Sequence, residues 1–429
     1  MHFFYLRFSC LFLGMFSLLF LSCTKQEISP SAAHTITQEK AISIFIDNLS
    51  LEQQISQLFL VCIEGTAVDP CTGENNSGGE NCGHVPAGGY IIFRHNCTDS
   101  AEQVISMLGN IRTYYDSQNQ IQPYFAIDHE GGPVNRLSYL ASPLPSQNTI
   151  ATYLNVNLAK EIYTYAAMQL SALGIQVNFA PVVEAVTDTN IDFLGLRTYG
   201  NSEKTIEYSK IAINAYKNQG VFCVTKHFPG NTATDPHKGL PVLSISLNEL
   251  NTAYIEPFNI VFENDVFGVL MSHTLVPELD TKHPVCLSQR AVSYLRAYTG
   301  FSGLVFSDDL LMGALKESGY EPKDALLRSI SAGVQVLMVL QPSYKTFFSD
   351  IKDTMKLDPI FTAKVKAAVK ANIQAKIKMG LLTYEQGENG NYVVVTTALE
   401  KIYDFERQKK AFEDSKAKGD WLYGQYFKR

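Results

Sequence analysis

The chain has 429 residues, more than one typical domain but within reach of an α/β barrel with extensions. Hydrophobic residues make up 46% and charged residues 18%, enough to bury a full core and too apolar for a disordered chain. A balance of 35 Lys and Arg against 42 Asp and Glu leaves a net charge of −7, which excludes a generally basic nucleic-acid binder. No heptad or collagen-like repeat runs through the chain, so a globular body of the enzyme type remains.

The N-terminus carries Arg7, an apolar run from Leu11 to Leu21, then Ser22-Cys23. An apolar core of ~7–15 residues suits an export signal, whereas a membrane-spanning helix needs ~20. Phe20-Leu21-Ser22-Cys23 resembles a bacterial lipobox, with Phe20 where Leu is usual. The alternative is a plain secretory signal with a chance cysteine. The expectation is a signal peptide over 1–22, lipid on Cys23 and a polar tether over 23–39. The mature chain is then exported and anchored by lipid to the bacterial envelope.

Export changes how the remaining cysteines read. Cys71 and Cys82 flank Thr72 to Asn81, a polar loop with no apolar residue to order it. A disulfide between them would limit the loop's unfolded-state freedom. Cys62 and Cys223 lie in apolar runs and read as buried thiols. There is no Cys-x-x-Cys and no paired His, so no metal is expected. No cofactor is expected either.

In chain order, short apolar runs predict strands at 58–63, 89–93, 124–127, 176–180, 221–225, 268–271, 303–306 and 334–340. Helix-period segments predict helices at 101–115, 158–173, 203–219 and 247–263. Unbroken apolar runs suit parallel strands buried on both faces, with the helices as crossovers. Eight such units predict a (β/α)8 TIM-type barrel over about 40–383. A doubly wound sheet would need a Gly-x-Gly-x-x-Gly turn after the first strand, and none is there. A short helical extension over 384–429 follows, because Asp404 to Lys416 has helical period and a solvated composition.

Polar residues gather where these runs end. Asp128 follows 124–127, Lys226-His227 follow 221–225, His273 lies just past 268–271 and Asp308 just past 303–306. In such a barrel the C-terminal strand ends build the active site. Taken singly, each is an ordinary strand-end or capping residue; four titratable ends on one rim point to chemistry.

Several segments resemble glycoside hydrolase family 3. Asp128-His129-Glu130-Gly131-Gly132-Pro133-Val134-Asn135-Arg136 is similar to its D-x-E-G-G-x-V-x-R. Lys226-His227-Phe228-Pro229-Gly230 is similar to K-H-F-P-G, and Ser307-Asp308-Asp309-Leu310-Leu311-Met312 to S-D-D-L-x-M. Asn178-Phe179-Ala180-Pro181-Val182 and the strand from Gly88 to Phe93 fit as well. Asp235-Pro236-His237 with Leu240-Pro241 resembles the β-N-acetylhexosaminidase branch, whose loop carries D-S-H.

The resemblance implies a retaining exo-β-N-acetylglucosaminidase acting on short glycans with a terminal GlcNAc, such as peptidoglycan fragments or chitooligosaccharides. It implies Asp308 as nucleophile and His237 as general acid/base, oriented by Asp235. Asp128, Arg197, Lys226, His227 and His273 would hold the sugar hydroxyls. Successive strand residues point to opposite faces, so Asp308 and Asp309 are not expected to reach one sugar together. The only Trp, Trp421, lies in the tail, so any sugar platform must be Tyr or Phe. A monomer is expected.

The chain departs from the pattern after Gly230. The family continues with His-Gly and a longer loop, whereas Asn231-Thr232-Ala233-Thr234 lead directly to Asp235, and Pro236 replaces Ser. The shorter, stiffer loop leaves two outcomes open: an active dyad, or a lipid-anchored glycan-binding protein without catalysis. A β-glucosidase of the same family is a further alternative, and phosphorolysis in place of hydrolysis is a variant of the first outcome.

Overall fold

The computed structural model describes residues 30–66, 87–98, 100–386 and 391–427. The signal, Cys23, Cys71 and Cys82 lie outside these residues. Eight parallel strands form one sheet: β1 (Phe59–Cys62), β2 (Gly89–Ile92), β3 (Tyr124–Ile127), β4 (Val177–Asn178), β5 (Phe222–Phe228), β6 (Gly268–Met271), β7 (Leu304–Ser307) and β8 (Leu337–Val339). Each strand pairs with the next, β8 pairs with β1, and a parallel bridge from Phe306 to Val336 closes the ring between β7 and β8. The result is a (β/α)8 barrel.

Two apolar layers explain why the strand runs have no polar alternation. Leu60, Ile91, Ala126, Val177, Phe179, Val224, Leu270, Phe306 and Met338 fill the barrel. Their strand neighbours Phe59, Val61, Ile92, Phe125, Ile127, Val269, Val305 and Val339 face the helices. Phe179 meets Phe306 edge to face across the interior, with ring centroids 5.4 Å apart.

The crossover helices include Ala101–Ser117, Val156–Leu173, Ser202–Lys217, Gln289–Thr299 and Pro322–Ala332. Ser100, Asn155, Asn201 and Ser288 accept a backbone N–H at their N-termini. Gly174, Gly300 and Gly333 end three of them in the left-handed conformation. The predicted helix at 247–263 is observed, with a π-helical turn over Leu250–Ile255 at its centre.

Three expectations need correction. The segment read as a tether is helical from Pro30, the start of the helix Pro30–Asp47, whose Ala41 and Ile42 are buried. The tail is not wholly helical: a hairpin, β9 (Leu382–Gln386) with β10 (Tyr392–Thr396), straddles position 383 before the long helix Phe405–Phe427. Its alternation is partly masked by polar residues on both faces. Cys62 is half-buried, whereas Cys223 is buried as expected.

Candidate active site

All eight strands run in one direction, so their C-terminal ends share one rim. The rim is built outward from Asn178 at the end of β4. Its side chain accepts from the His129 amide at 3.0 Å and donates to the His129 carbonyl at 3.2 Å. This two-way bond fixes the turn that carries Asp128 and Glu130 beyond β3.

Lys226 was expected after a strand end, but β5 continues through Lys226-His227 to Phe228, which pairs with Met271 of β6. Charged residues persist inside this strand because each finds a partner. Lys226 Nζ lies 2.7 Å from Asp128 Oδ1 and 2.7 Å from Glu130 Oε1. Burial disfavours its charge, but Asp128 and Glu130 outweigh that and raise its pKa. An ammonium has three donors, so one remains for a ligand. Arg197 binds Glu130 with both arms of its guanidinium, Nε at 2.8 Å and Nη2 at 2.9 Å. Burial would raise the Glu130 carboxyl, yet Lys226 and Arg197 bring it down to about 2. Arg136 approaches Asp128 at 3.4 Å and lies over the Phe93 ring, 5.5 Å from its centroid. The sequence reading assigned no role to Glu130 or Arg136, although both stand in the quoted motif.

His227 is held by a residue the sequence reading missed altogether. Glu184 accepts from His227 Nδ1 at 2.6 Å, from the Asn231 amide at 2.6 Å and from Asn231 Nδ2 at 3.0 Å. Asn231, where the family pattern has His, is therefore a clamp on Glu184. His227 Nε2 faces Arg197 Nη2, 3.5 Å away. Glu184 lies two residues past the Asn178–Val182 motif; only the folding of Asn231 onto it reveals its role.

His273 departs from its expected contact with sugar hydroxyls. It is 1% exposed and both ring nitrogens are occupied. Nε2 donates to the Asp309 carbonyl at 3.0 Å, so Nδ1 accepts from the Cys286 thiol at 3.2 Å. Burial lowers its pKa and keeps it neutral. His273 thus buttresses the turn that presents Asp308.

Asp308 and Asp309 behave differently. Asp309 Oδ1 accepts from the Leu311 and Leu340 amides, both at 3.2 Å, which turns its carboxylate into the backbone. Burial pushes Asp309 up to about 6. Burial would raise Asp308 too, but His273, His227, the Asp309 amide at 2.8 Å and Lys226 hold it below the usual carboxylate range. Asp308 is therefore an ionised, half-buried carboxylate without a hydrogen-bonded cation of its own among the described residues.

The Asp235–His237 loop reaches this strand end. His237 Nδ1 lies 2.8 Å from Asp235 Oδ1, which also accepts the His237 amide at 2.9 Å. That amide, with the imidazole, holds Asp235 below its ordinary value. The Pro236 carbonyl accepts from the Ala314 amide at 2.9 Å. A Cβ on Gly313 would stand 2.4 Å from the His237 carbonyl oxygen. The short loop is thus pinned to the helix Gly313–Glu317, five residues after Asp308, and His237 lies near enough to Asp309 to act on it electrostatically. Its ring is 73% exposed, open to a ligand entering from solvent.

A barrel whose rim joins an ionised carboxylate, an Asp–His pair and a cluster of charged hydrogen-bonding groups can hold a polyol and supply a nucleophile and an acid/base to it. A model of the glycosyl hydrolase family 3 N terminal domain matches residues 50–374. The chain belongs to that family. It is 32% identical over 222 residues to the β-hexosaminidase LpqI of Mycobacterium tuberculosis, covering 50% of this chain and 57% of that one. It is 31% identical over 264 residues to a β-hexosaminidase of Neisseria meningitidis serogroup C, covering 59% and 71%. The chain therefore spans little more than half the length of the mycobacterial relative. The solved structure of a family 3 β-N-acetylglucosaminidase from Paenibacillus sp. FPU-7 aligns with a TM-score of 0.68 at 23% identity, over 86% of this chain and 68% of that one. At that identity the likeness shows the fold.

Proposed function

We propose that the chain is an exported, retaining exo-β-N-acetylglucosaminidase that removes terminal GlcNAc from short glycans. The observation that carries this reading is the Asp235–His237 pair pinned beside the strand end of Asp308. Asp308 attacks the anomeric carbon and forms a glycosyl ester as the leaving oxygen departs. His237, oriented by Asp235, gives that oxygen its proton, then takes one from the incoming water as that water attacks the anomeric carbon and frees Asp308. Asp128, Arg136, Arg197, Lys226 and His227 meet the sugar hydroxyls, while Glu130 and Glu184 hold those groups in place. The β-hexosaminidase names of the relatives support the sugar. A lipid on Cys23 would tether the enzyme to the envelope, and a Cys71–Cys82 bridge would suit that compartment.

Purified protein assayed on aryl β-GlcNAc and aryl β-glucoside, with and without phosphate, tests the reading. Asp308→Ala should lower kcat by about 10³-fold or more. His237→Ala should slow poor leaving groups ~10²-fold or more and leave activated phenols nearly untouched, because a phenolate departs without a proton. Full activity of either variant on a disaccharide would overturn the corresponding role. Sugar binding without turnover by the unsubstituted protein would favour the non-catalytic alternative.

A further inference from the structure

Lys226 and Arg197 carry their charges into the candidate site, and carboxylates meet both. Two other cations are buried more completely. Arg112 is 1% exposed and Lys376 0% exposed, and no carboxylate among the described residues pairs with either. Arg112 lies on the helix Ala101–Ser117 and Lys376 on the helix Pro359–Lys378, whose Ala375 joins the apolar layer that fills the barrel. They meet at the chain entering β3. Arg112 Nη1 donates to the Pro123 carbonyl at 3.3 Å and Lys376 Nζ to the Gln122 carbonyl at 2.9 Å. Gln122 Nε2 in turn donates to the Arg112 carbonyl at 3.0 Å.

These bonds leave donors over. Arg112 Nη2 is buried with no hydrogen-bond partner among the described residues. An ammonium has three donors, and Lys376 spends one of them on Gln122. The Phe125 ring lies 4.7 Å from the Arg112 guanidinium carbon and offers its face to the cation, but no acceptor for that nitrogen. Burial brings Arg112 down to about 9; burial and then the Arg112 charge push Lys376 well below its ordinary value. A neutral Lys376 would relieve its own burial and leave Arg112 Nη2 unsatisfied, which is costly for a buried donor of a charged group. One anion would meet both.

We propose that Arg112 Nη2 and Lys376 Nζ hold a small monovalent anion of the halide class at the strand-start end of the barrel, opposite the candidate active site. A dianion such as sulfate or phosphate loses far more hydration on entering so enclosed a place, because that cost grows with the square of the charge. The anion links the helix Ala101–Ser117, the chain entering β3 and the helix Pro359–Lys378. It therefore stabilises the fold and takes no part in turnover, and the site is independent of the glycosidase reading.

Two measurements on the full chain test this. In the first, urea unfolding is followed as chloride replaces gluconate at constant ionic strength, so that screening does not change. Above saturation, each tenfold rise in chloride should raise the folded-to-unfolded ratio about tenfold. Lys376→Met, similar in length and uncharged, should abolish the response to chloride. The second measurement needs no variant: anomalous diffraction from crystals grown in bromide should place one bromide in contact with both Arg112 Nη2 and Lys376 Nζ. Unfolding indifferent to the exchange of gluconate for chloride, a chloride response that survives in Lys376→Met, or a bromide map without a peak between the two side chains overturns the proposal.

Discussion

Asp308 and Asp309 share a strand end, yet their surroundings push them in opposite directions. Asp309 ionises near 3.8 when unperturbed and at about 6 in the fold, where burial outweighs the Leu311 and Leu340 amides. The unfolded chain therefore releases this proton first as pH rises. The stability that protonated Asp309 contributes is full below pH ~4 and lost by pH ~6. Asp309→Asn keeps an acceptor for both amides and removes the titration. Relative to the unsubstituted protein, it should gain on the order of 2 kcal/mol on going from pH 4 to pH 7. Urea unfolding at the two pH values measures this, and an unchanged difference would contradict the assignment. Asp308 was legible because its motif and its strand end coincide. Glu184 was not, because nothing local to it signals chemistry; its role exists only once His227 and Asn231 fold onto it. His273 was legible as a rim residue, but its direction was not: Cys286, thirteen positions away in sequence, engages its ring from behind.

The elements were read from apolar runs, and the reading succeeded where both faces of a strand are buried, as in Tyr124–Ile127 and Gly268–Met271. It stopped short at β5, since Lys226-His227 look like a strand's end until Asp128, Glu130 and Glu184 neutralise them. The hairpin of β9 and β10 escaped because two half-exposed strands leave weak alternation. The shortened Asp235–His237 loop was recognisable, but not what holds it. Gly313 supplies that: it begins the helix Gly313–Glu317 and leaves room only for the His237 carbonyl. Gly313→Ala should push the loop off the rim without unfolding the barrel. It should therefore reproduce the His237→Ala signature, a loss of ~10-fold or more on poor leaving groups with activated phenols spared. Equal losses on both kinds of substrate would show that Gly313 acts by other means.

At the scale of the whole molecule, the closed ring of strands decides which groups can meet. β3 and β5 bring Asp128, Lys226 and His227 to one side of the rim, and β7 brings Asp308 from the other. The continuous parallel pairing from β3 through β5 and β6 to β7 gathers these groups on one rim, and the bridge from Phe306 to Val336 closes the ring. The account stands on Asp308 forming the covalent bond to sugar. Peptide mass mapping after reaction with a slow 5-fluoro GlcNAc donor tests this directly. The predicted result is one sugar mass on the peptide containing Ser307-Asp308-Asp309, with fragmentation placing it on Asp308 and no label in Asp308→Ala. A label on any other residue, or turnover that leaves no covalent species while releasing α-GlcNAc, would contradict it.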